Sequence, residues 1–292
     1  MGTTDTLNPP PQPKRVYYST GRMLGVADFQ ADQDYHRGRL ARALVSLYGT
    51  GTVYGLMVGT DGNADATKLQ VRVAPGLAID RVGRIIEVPR ALCIVIHNWL
   101  NDQVQQWQDQ QANPVPGQAA RPDPNTAIHD GANLMCDVFA TFVPCTRGLT
   151  PCFASQDDYD ATDAFSANRW LDSFAMQLVL RTDAAPQTPA DPWKNAGALP
   201  AAGANLTAPV IANLQNILLR AAGPAPGVEY PPNFDATGVF LARILIAATA
   251  GASGAPPKWD LTRISIDNNS RLFLYPAALL ARLGGLGSGT EA

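Results

Sequence analysis

Charged side chains are scarce in this sequence. They make up 16% of its 292 residues, against about a quarter in a typical soluble chain. The formal net charge is −3, so the chain lacks the basic excess with which nucleic-acid-binding proteins neutralise phosphates, and we expect no nucleic-acid partner. A surface with so few charges favours a subunit that neighbouring proteins largely cover, and we expect a homo-oligomer.

Long apolar runs and a leader peptide are also missing. No run of about 18 apolar residues is present, so the sequence predicts no transmembrane helix and no insertion into a membrane. Residues 1–14 are polar and proline-rich, without the basic start and apolar core of a signal peptide. We therefore expect synthesis and assembly in the cytoplasm.

Recognisable catalytic and metal-binding motifs are absent as well. The sequence contains no phosphate-binding loop, no nucleophile elbow, no zinc-protease motif and no dinucleotide-binding glycine pattern. Its four cysteines fit no zinc spacing. Cys93 and Cys136 lie in apolar runs and are expected to be buried, whereas the pairing of Cys145 with Cys152 stays open. We expect no enzymatic activity, no catalytic residue, no metal and no cofactor.

The hydrophobic periodicity predicts an α+β fold that is mainly β, with antiparallel strands and hairpins, one prominent N-terminal helix and a few short helices. The helix is predicted over residues 28–48, with Asp28 as its N-cap and Gly49 as its stop. Four apolar side chains share one helical face and are expected to be buried: Phe29, Leu40, Leu44 and Leu47.

Alternating apolar residues predict the strands that follow. Residues 76–80 and 84–89 form a predicted hairpin around Gly83. The remaining predicted strands cover residues 52–58, 69–73, 91–96, 134–143, 173–181 and 238–248, and a last pair joins 263–266 to 271–275. Further helices are predicted over residues 97–111, 209–220 and 276–283.

The domain boundaries follow from composition. Residues 1–14 form an extended N-terminal arm, and residues 15–112 form a region of helix and β-hairpin. A proline-rich loop covers residues 113–133. Residues 134–283 are β-rich and belong either to the same domain or to a second one, and residues 284–292 form a flexible tail.

Two groups of residues are candidates for contacts and corners. Pro9, Pro10 and Pro11 place the arm in an extended conformation that can reach a neighbouring subunit. The run at 239–246 is apolar on both sides, which indicates a central strand or one covered by a partner, with Val239 and Leu241 as candidate interface residues. The glycines predicted to shape turns and close backbone crossings are Gly49, Gly51, Gly55, Gly76 and Gly83.

The order of the motifs resembles a known family. The sequence runs through Gly21–Phe29, Tyr48–Leu56, Val73–Asp80 and Gly83–Val88, and it ends with Ile266-Asp267-Asn268 followed by Arg271. This set is similar to structural proteins encoded with phage-tail-like contractile injection systems. The sequence departs from the family pattern with Tyr48 where histidine is usual and with Ile86 where glutamate is usual.

The resemblance implies a non-enzymatic particle component at the baseplate periphery or at a fibre attachment. Its expected partners are other tail, baseplate or fibre proteins, and after assembly it belongs to the particle. The alternative is a receptor- or glycan-binding module carried on such a particle, since exposed tryptophans stack on sugar faces. The tryptophans available for that role are Trp99, Trp107, Trp170, Trp193 and Trp259.

Overall fold

Antiparallel β-sheet dominates the computed structural model, which describes residues 14–63, 65–114, 117, 120–151, 165–190, 227–252 and 255–275. Two α-helices lie within these ranges, α1 (Val26–Tyr48) and α2 (Ile96–Ala112). The strands are β1 (Gly51–Gly55), β2 (Val58–Thr60), β3 (Gln70–Val73), β4 (Gly76–Ile79), β5 (Ile85–Val88), β6 (Leu92–Val95), β7 (Ile128–His129), β8 (Asn133–Pro151), β9 (Phe165–Leu180), β10 (Val239–Thr249) and β11 (Lys258–Asp267). The predicted α+β, mainly β class is confirmed.

Two small sheets follow α1. One has the order β1-β4-β5 and the other β2-β3-β6, and all of their pairings are antiparallel. The β4–β5 hairpin, the strand β6 and the helix α2 are confirmed close to their predicted bounds. The single strand predicted over residues 52–58 is wrong, because the backbone turns at Leu56 (φ 54°) and sends β1 and β2 into different sheets.

The third sheet contains the longest strands. Its order is β11-β10-β8-β7, and β9 also pairs with β8. The strand β10 is therefore central, which explains why it is apolar on both sides. Val239 and Leu241, predicted as interface residues, are 5% and 0% exposed within this chain. Their burial accounts for the apolar run without a partner, so they leave no free surface for an interface.

One apolar core joins the two predicted regions. Leu56, Val71 and Leu100 from the N-terminal region belong to the same buried cluster as Phe142 and Leu241 from the C-terminal region. The connection predicted as a loop at 113–133 contributes to this core through the buried Ala127. The described residues on both sides of that connection therefore form one folded unit.

The C-terminal pairing differs from the predicted one. The strand β11 pairs with β10, and residues 271–275 reach β1 instead of residues 263–266. There Thr52 donates its N–H to the carbonyl of Leu272 and accepts from the N–H of Leu274, both at 2.8 Å. The predicted hairpin is wrong because this long-range pairing satisfies the same backbone groups.

The predicted start of α1 also changes. Gly25 occupies the N-cap position, and Asp28 lies three residues later with its carboxylate accepting the Gly25 N–H at 3.0 Å. Asp28 thus stabilises the helix start without being the N-cap. The stop is confirmed, since the Gly49 N–H closes the last turn on the carbonyl of Val45 at 2.9 Å.

Several predictions lie outside the described residues. They are the arm 1–13 with Pro9, Pro10 and Pro11, the helices at 209–220 and 276–283, the tail 284–292 and Cys152. Of the other cysteines, Cys136 is buried as predicted, but Cys93 is exposed. Strand alternation gives the reason, because the neighbouring Ile94 packs against the core and Cys93 points to the opposite side. Neither described helix is long and apolar enough to cross a membrane.

Candidate functional site

The turn between β4 and β5 is held by one buried carboxylate. Asp80 is fully buried, and its Oδ1 accepts the N–H groups of Val82, Gly83 and Arg84 at 2.9, 2.8 and 2.8 Å. Its Oδ2 accepts from Nε of Arg84 at 2.5 Å. Backbone donors of this kind satisfy a buried charge that would otherwise be costly. The motif Asp80-x-x-Gly83-Arg84 is therefore a self-contained turn.

That turn supports α1. A Cβ added to Gly83, which has φ +96°, would lie 2.1 Å from the carbonyl oxygen of Ala41. Ala41 is the only buried residue of the 23 in α1. The backbone of the hairpin turn thus contacts the backbone in the middle of α1. The contact is so close that it leaves no room for a side chain at position 83.

Three further glycines singled out in the sequence lie where two backbone segments pass close to each other. A Cβ at Gly55 would lie 2.1 Å from the carbonyl oxygen of Pro75, and one at Gly51 would lie 2.5 Å from that of Leu272. Gly76 is similarly confined by the carbonyl oxygen of Tyr54 at 2.4 Å. The sequence singled out Gly51 and Gly55 for a corner where backbones pass closely and Gly76 for a turn, whereas the contact with Leu272 has no local signal in the sequence.

A second motif fixes the break between β1 and β2. Asn268 accepts the N–H of Val58 at 2.9 Å and donates to its carbonyl at 2.8 Å. Arg271 donates from Nη1 to the carbonyl of Leu56 at 2.8 Å. Burial lowers the pKa of Arg271 to about 10, against the opposing effect of the Asp267 charge. The residues Asn268 and Arg271 therefore hold the turned backbone at Leu56.

A buried ion network connects the third sheet to its loops. Arg181 and Asp137 both have fully buried side chains and pair with each other. Arg243 donates to the two oxygens of Asp137 at 2.8 and 2.9 Å, and Arg181 also forms a two-bond pair with Asp183, each bond at 2.8 Å. Sequence reasoning missed this network, because its members are far apart along the chain.

The network extends to the β4–β5 turn. Glu229 accepts from Arg81 at 2.7 Å, and Arg81 also donates to the hydroxyl of Tyr230 at 2.8 Å. That hydroxyl donates to the carbonyl of Gly238 at 2.7 Å, and burial raises the pKa of Tyr230. The other Glu229 oxygen, Oε2, is buried without a hydrogen-bond partner among the described residues. The adjoining cavity of about 10 Å³ has room for roughly one water molecule.

Larger concave features are limited in the described part of the chain. A cavity of about 160 Å³ lies between α2 and β9, lined by Trp107, Arg121 and Leu180 among others. Within the described ranges no group of three or more His, Cys, Asp or Glu side chains could hold a metal ion. A further feature consists of exposed apolar side chains.

That feature surrounds α1. Several large apolar side chains of the N-terminal segment and α1 are more than half exposed, and we call the five that are not tyrosines the N-terminal apolar surface: Met23 (94%), Val26 (75%), Phe29 (54%), Leu40 (57%) and Leu47 (74%). Sequence reasoning grouped three of them on one helical face but predicted that this face is buried, which is wrong. Amphipathic spacing does not reveal whether the chain itself supplies the covering surface.

A long hairpin forms a second exposed feature. The strands β8 and β9 stay paired to Pro151 and Phe165, and we call the part from Pro144 and Asp172 outward the β8–β9 ribbon. Trp170 on this ribbon is 67% exposed. Of the other tryptophans, Trp107 is buried, Trp99 and Trp259 pack against the core, and Trp193 lies outside the described residues.

Comparison with known proteins does not identify a family for this chain. Neither a scan against models of protein families nor a search of curated proteins finds a match to the chain. The residues of the sequence motifs have the scaffolding contacts described above. Asp80 and Asn268 hold turns, and Gly83 supports the helix whose outer face carries the N-terminal apolar surface.

Proposed function

We propose that the chain is a non-enzymatic structural subunit of a phage-tail-like contractile injection particle, at the baseplate periphery or at a fibre attachment. The observation that carries the proposal is the exposure of α1. A helix of 23 residues with one buried residue and several exposed large apolar side chains is typical of a protein that completes its packing against a partner.

The motif residues support the same function. The carboxylate of Asp80 is engaged by three backbone donors and Arg84, and Asn268 is engaged by both backbone groups of Val58. These side chains are used in fixing the backbone. A sequence pattern that preserves turns and close crossings is expected of a protein whose function is to present a defined shape.

The partner surface follows from chemistry. Covering the N-terminal apolar surface stabilises a complex by about 25 cal/mol for each Å² of apolar area removed from water. We therefore expect neighbouring tail, baseplate or fibre proteins, or further copies of this chain, to contribute apolar side chains there. The arm at residues 1–13 precedes this surface in sequence and is a further candidate contact.

Particle association is the direct test. Tagged wild-type protein is expressed together with the other particle genes of its host, and particles are purified by sedimentation and imaged at high resolution. We expect the protein to co-sediment and to occupy a peripheral density that disappears when its gene is deleted. A protein that stays entirely in the unsedimented fraction, with unchanged particles in the deletion strain, contradicts the proposal.

A deletion of residues 2–13 tests the arm separately. We expect it to lower incorporation into particles while changing the free energy of unfolding by no more than about 1 kcal/mol, as for surface changes remote from packed features. Normal incorporation of the truncated protein contradicts a contact by the arm. Unfolding of the truncated protein contradicts it too, because the arm then belongs to the core.

One observation favours a second candidate, a receptor- or glycan-binding module on the same particle. Trp170 projects from the β8–β9 ribbon with 67% of its surface exposed, as expected for an aromatic ring that stacks on a sugar face. A glycan array with the purified protein tests this candidate. Binding that Trp170→Ala abolishes and Tyr54→Ala leaves intact supports it, since Tyr54 is also exposed (60%) but lies on β1. No binding by the wild type contradicts it.

A further inference from the structure

The outer face of α1 carries a heptad pattern. Positions separated alternately by three and four residues run along the whole helix, and we call them the α1 seam: Val26, Phe29, Gln33, His36, Leu40, Ala43 and Leu47. All seven are exposed. This spacing is the one that places side chains along a single line of contact between two packed helices. The seam therefore has the pattern of a two-helix contact, yet its side chains are exposed and are not covered by the other described helix, α2.

The orientation of α1 keeps the seam clear of the other described residues. Ala41, the buried residue, contacts the β4–β5 turn through its carbonyl oxygen. At about 100° per residue, the neighbouring seam residue Leu40 lies well around the helix from that contact. The seam residues span about 32 Å at 1.5 Å per residue, which is three heptads. A rigid, preformed helix of this length loses little conformational entropy on pairing.

The distribution of charge along α1 indicates which helix can pack on the seam and in which direction. The first half of α1 contains Asp28, Asp32 and Asp34 without a basic residue, and the second half contains Arg37, Arg39 and Arg42 without an acidic one. Two such helices side by side in the same direction place like charges together along their whole length. In opposite directions, each acidic half lies against a basic half, so the helix is complementary to itself.

We propose that α1 of a second copy of this chain packs antiparallel on the α1 seam and forms a symmetric dimer. In the register that aligns the first six seam positions, Val26 to Ala43, Phe29 faces Leu40 of the second copy and Val26 faces Ala43 of the second copy, while Leu47 lies beyond the paired layers. The central layer then pairs Gln33 with His36 of the second copy. A polar pair at a core position fixes register and orientation at a cost in stability.

Flanking charges agree with this register. Asp32 and Arg39 border the seam, and antiparallel pairing brings Asp32 of each copy beside Arg39 of the other. Within one chain Asp32 is already 3.8 Å from Nε2 of His36, so the carboxylate lies next to the central polar layer. The inference rests on the proposed assembly function and deepens it by naming the first partner as a second copy of the chain.

Sedimentation of the purified full-length chain tests the dimer. We expect wild-type protein to dimerise at micromolar concentration, and Leu40→Glu to raise the dissociation constant at least tenfold. A matched pair isolates the seam, because Ala43 and Ala31 are both exposed on α1 but only Ala43 lies on the seam. Ala43→Glu should weaken the dimer, and Ala31→Glu should not. A monomeric wild type at 100 µM, or equal behaviour of the two alanine variants, overturns the proposal.

Charge reversal tests the direction of the helices. Asp32→Lys and Arg39→Glu should each weaken the dimer, and the double variant should recover most of the wild-type affinity, because each reversed residue again faces an opposite charge. Circular dichroism of each variant verifies that the helix content is unchanged. Absence of recovery in a folded double variant overturns the antiparallel arrangement.

The two proposals fail separately. A monomeric wild type that still enters particles overturns the dimer and leaves the assembly function standing. A dimer that is absent from particles supports the α1 contact and contradicts the proposed particle function.

Discussion

Gly83 meets the backbone of Ala41 so closely that a single added methyl group would lie 2.1 Å from the Ala41 carbonyl oxygen. The two residues belong to the β4–β5 turn and to the middle of α1, so this contact seats the exposed helix on the folded body. The carboxylate of Asp80 holds this turn, so Asp80 also supports the position of α1 on the sheet.

Replacing Gly83 tests the contact between the β4–β5 turn and α1. Gly83→Ala introduces both a Cβ at φ +96° and the overlap with Ala41. We expect a loss of about 2–5 kcal/mol in the free energy of unfolding, measured by urea denaturation, from backbone strain and overpacking together. Gly62 provides the control, because it has φ +68° with no atom within 4 Å of an added Cβ.

Gly62→Ala should therefore cost only the strain of about 1–2 kcal/mol. The difference between the two variants measures the contact with α1. Equal losses would mean that the backbone contact between the turn and α1 contributes nothing.

Breaking the buried ion network should strongly destabilise the fold. Arg181→Met removes the guanidinium that pairs with Asp137 and Asp183, and leaves carboxylates buried with fewer partners. We expect a loss of about 3–5 kcal/mol by chemical denaturation. The control is Lys68→Met, which breaks an exposed pair with Asp65 and should cost under about 1 kcal/mol. Similar losses in both variants would contradict a stabilising function of the network.

Stability should fall in acid partly through Asp183. Burial tends to raise the pKa of this carboxyl, but the hydrogen bonds and charge of Arg181 outweigh it, so the pKa lies below its ordinary value. Folding therefore favours the charged form. This contribution is complete above the unfolded pKa of about 4 and is lost as the pH falls through the lower folded pKa.

Thermal unfolding of wild type and Asp183→Asn between pH 2 and pH 7 checks this contribution. The variant should be less stable at pH 7, and the gap should close at low pH, where the wild-type carboxyl is protonated as well. A gap of constant size across the range would show that the charge of Asp183 does not contribute.

The cysteines should differ sharply in reactivity. Cys93 is exposed on β6, whereas Cys136 is buried and burial raises its pKa, with the charge of Asp137 adding to the effect. The thiolate is the reactive form. We expect a maleimide to modify Cys93 in native protein and Cys136 only after denaturation, as read by peptide mass spectrometry. Equal rates at the two sites in folded protein would contradict the described burial.

Local patterns in the sequence determined many elements of this fold. The alternation around Gly83 predicts the β4–β5 hairpin, and the apolar run at 239–246 predicts a strand that is central or covered by a partner, because strand patterns depend on neighbours within a few residues. The sheet order decides between the two alternatives, since β10 lies between β11 and β8. The antiparallel, mainly β class follows from the spacing of such segments.

Only the tertiary structure decided which of these elements meet. The turn at Leu56 depends on Arg271, and the ion pair of Arg181 with Asp137 joins segments that no periodicity relates. The sequence by itself determined that Phe29, Leu40 and Leu47 share one face of a helix. Whether that face is buried depends on which surface lies beside it. Among the described residues, the fold brings the β4–β5 turn to the Ala41 side and leaves the side chains of Phe29, Leu40 and Leu47 exposed.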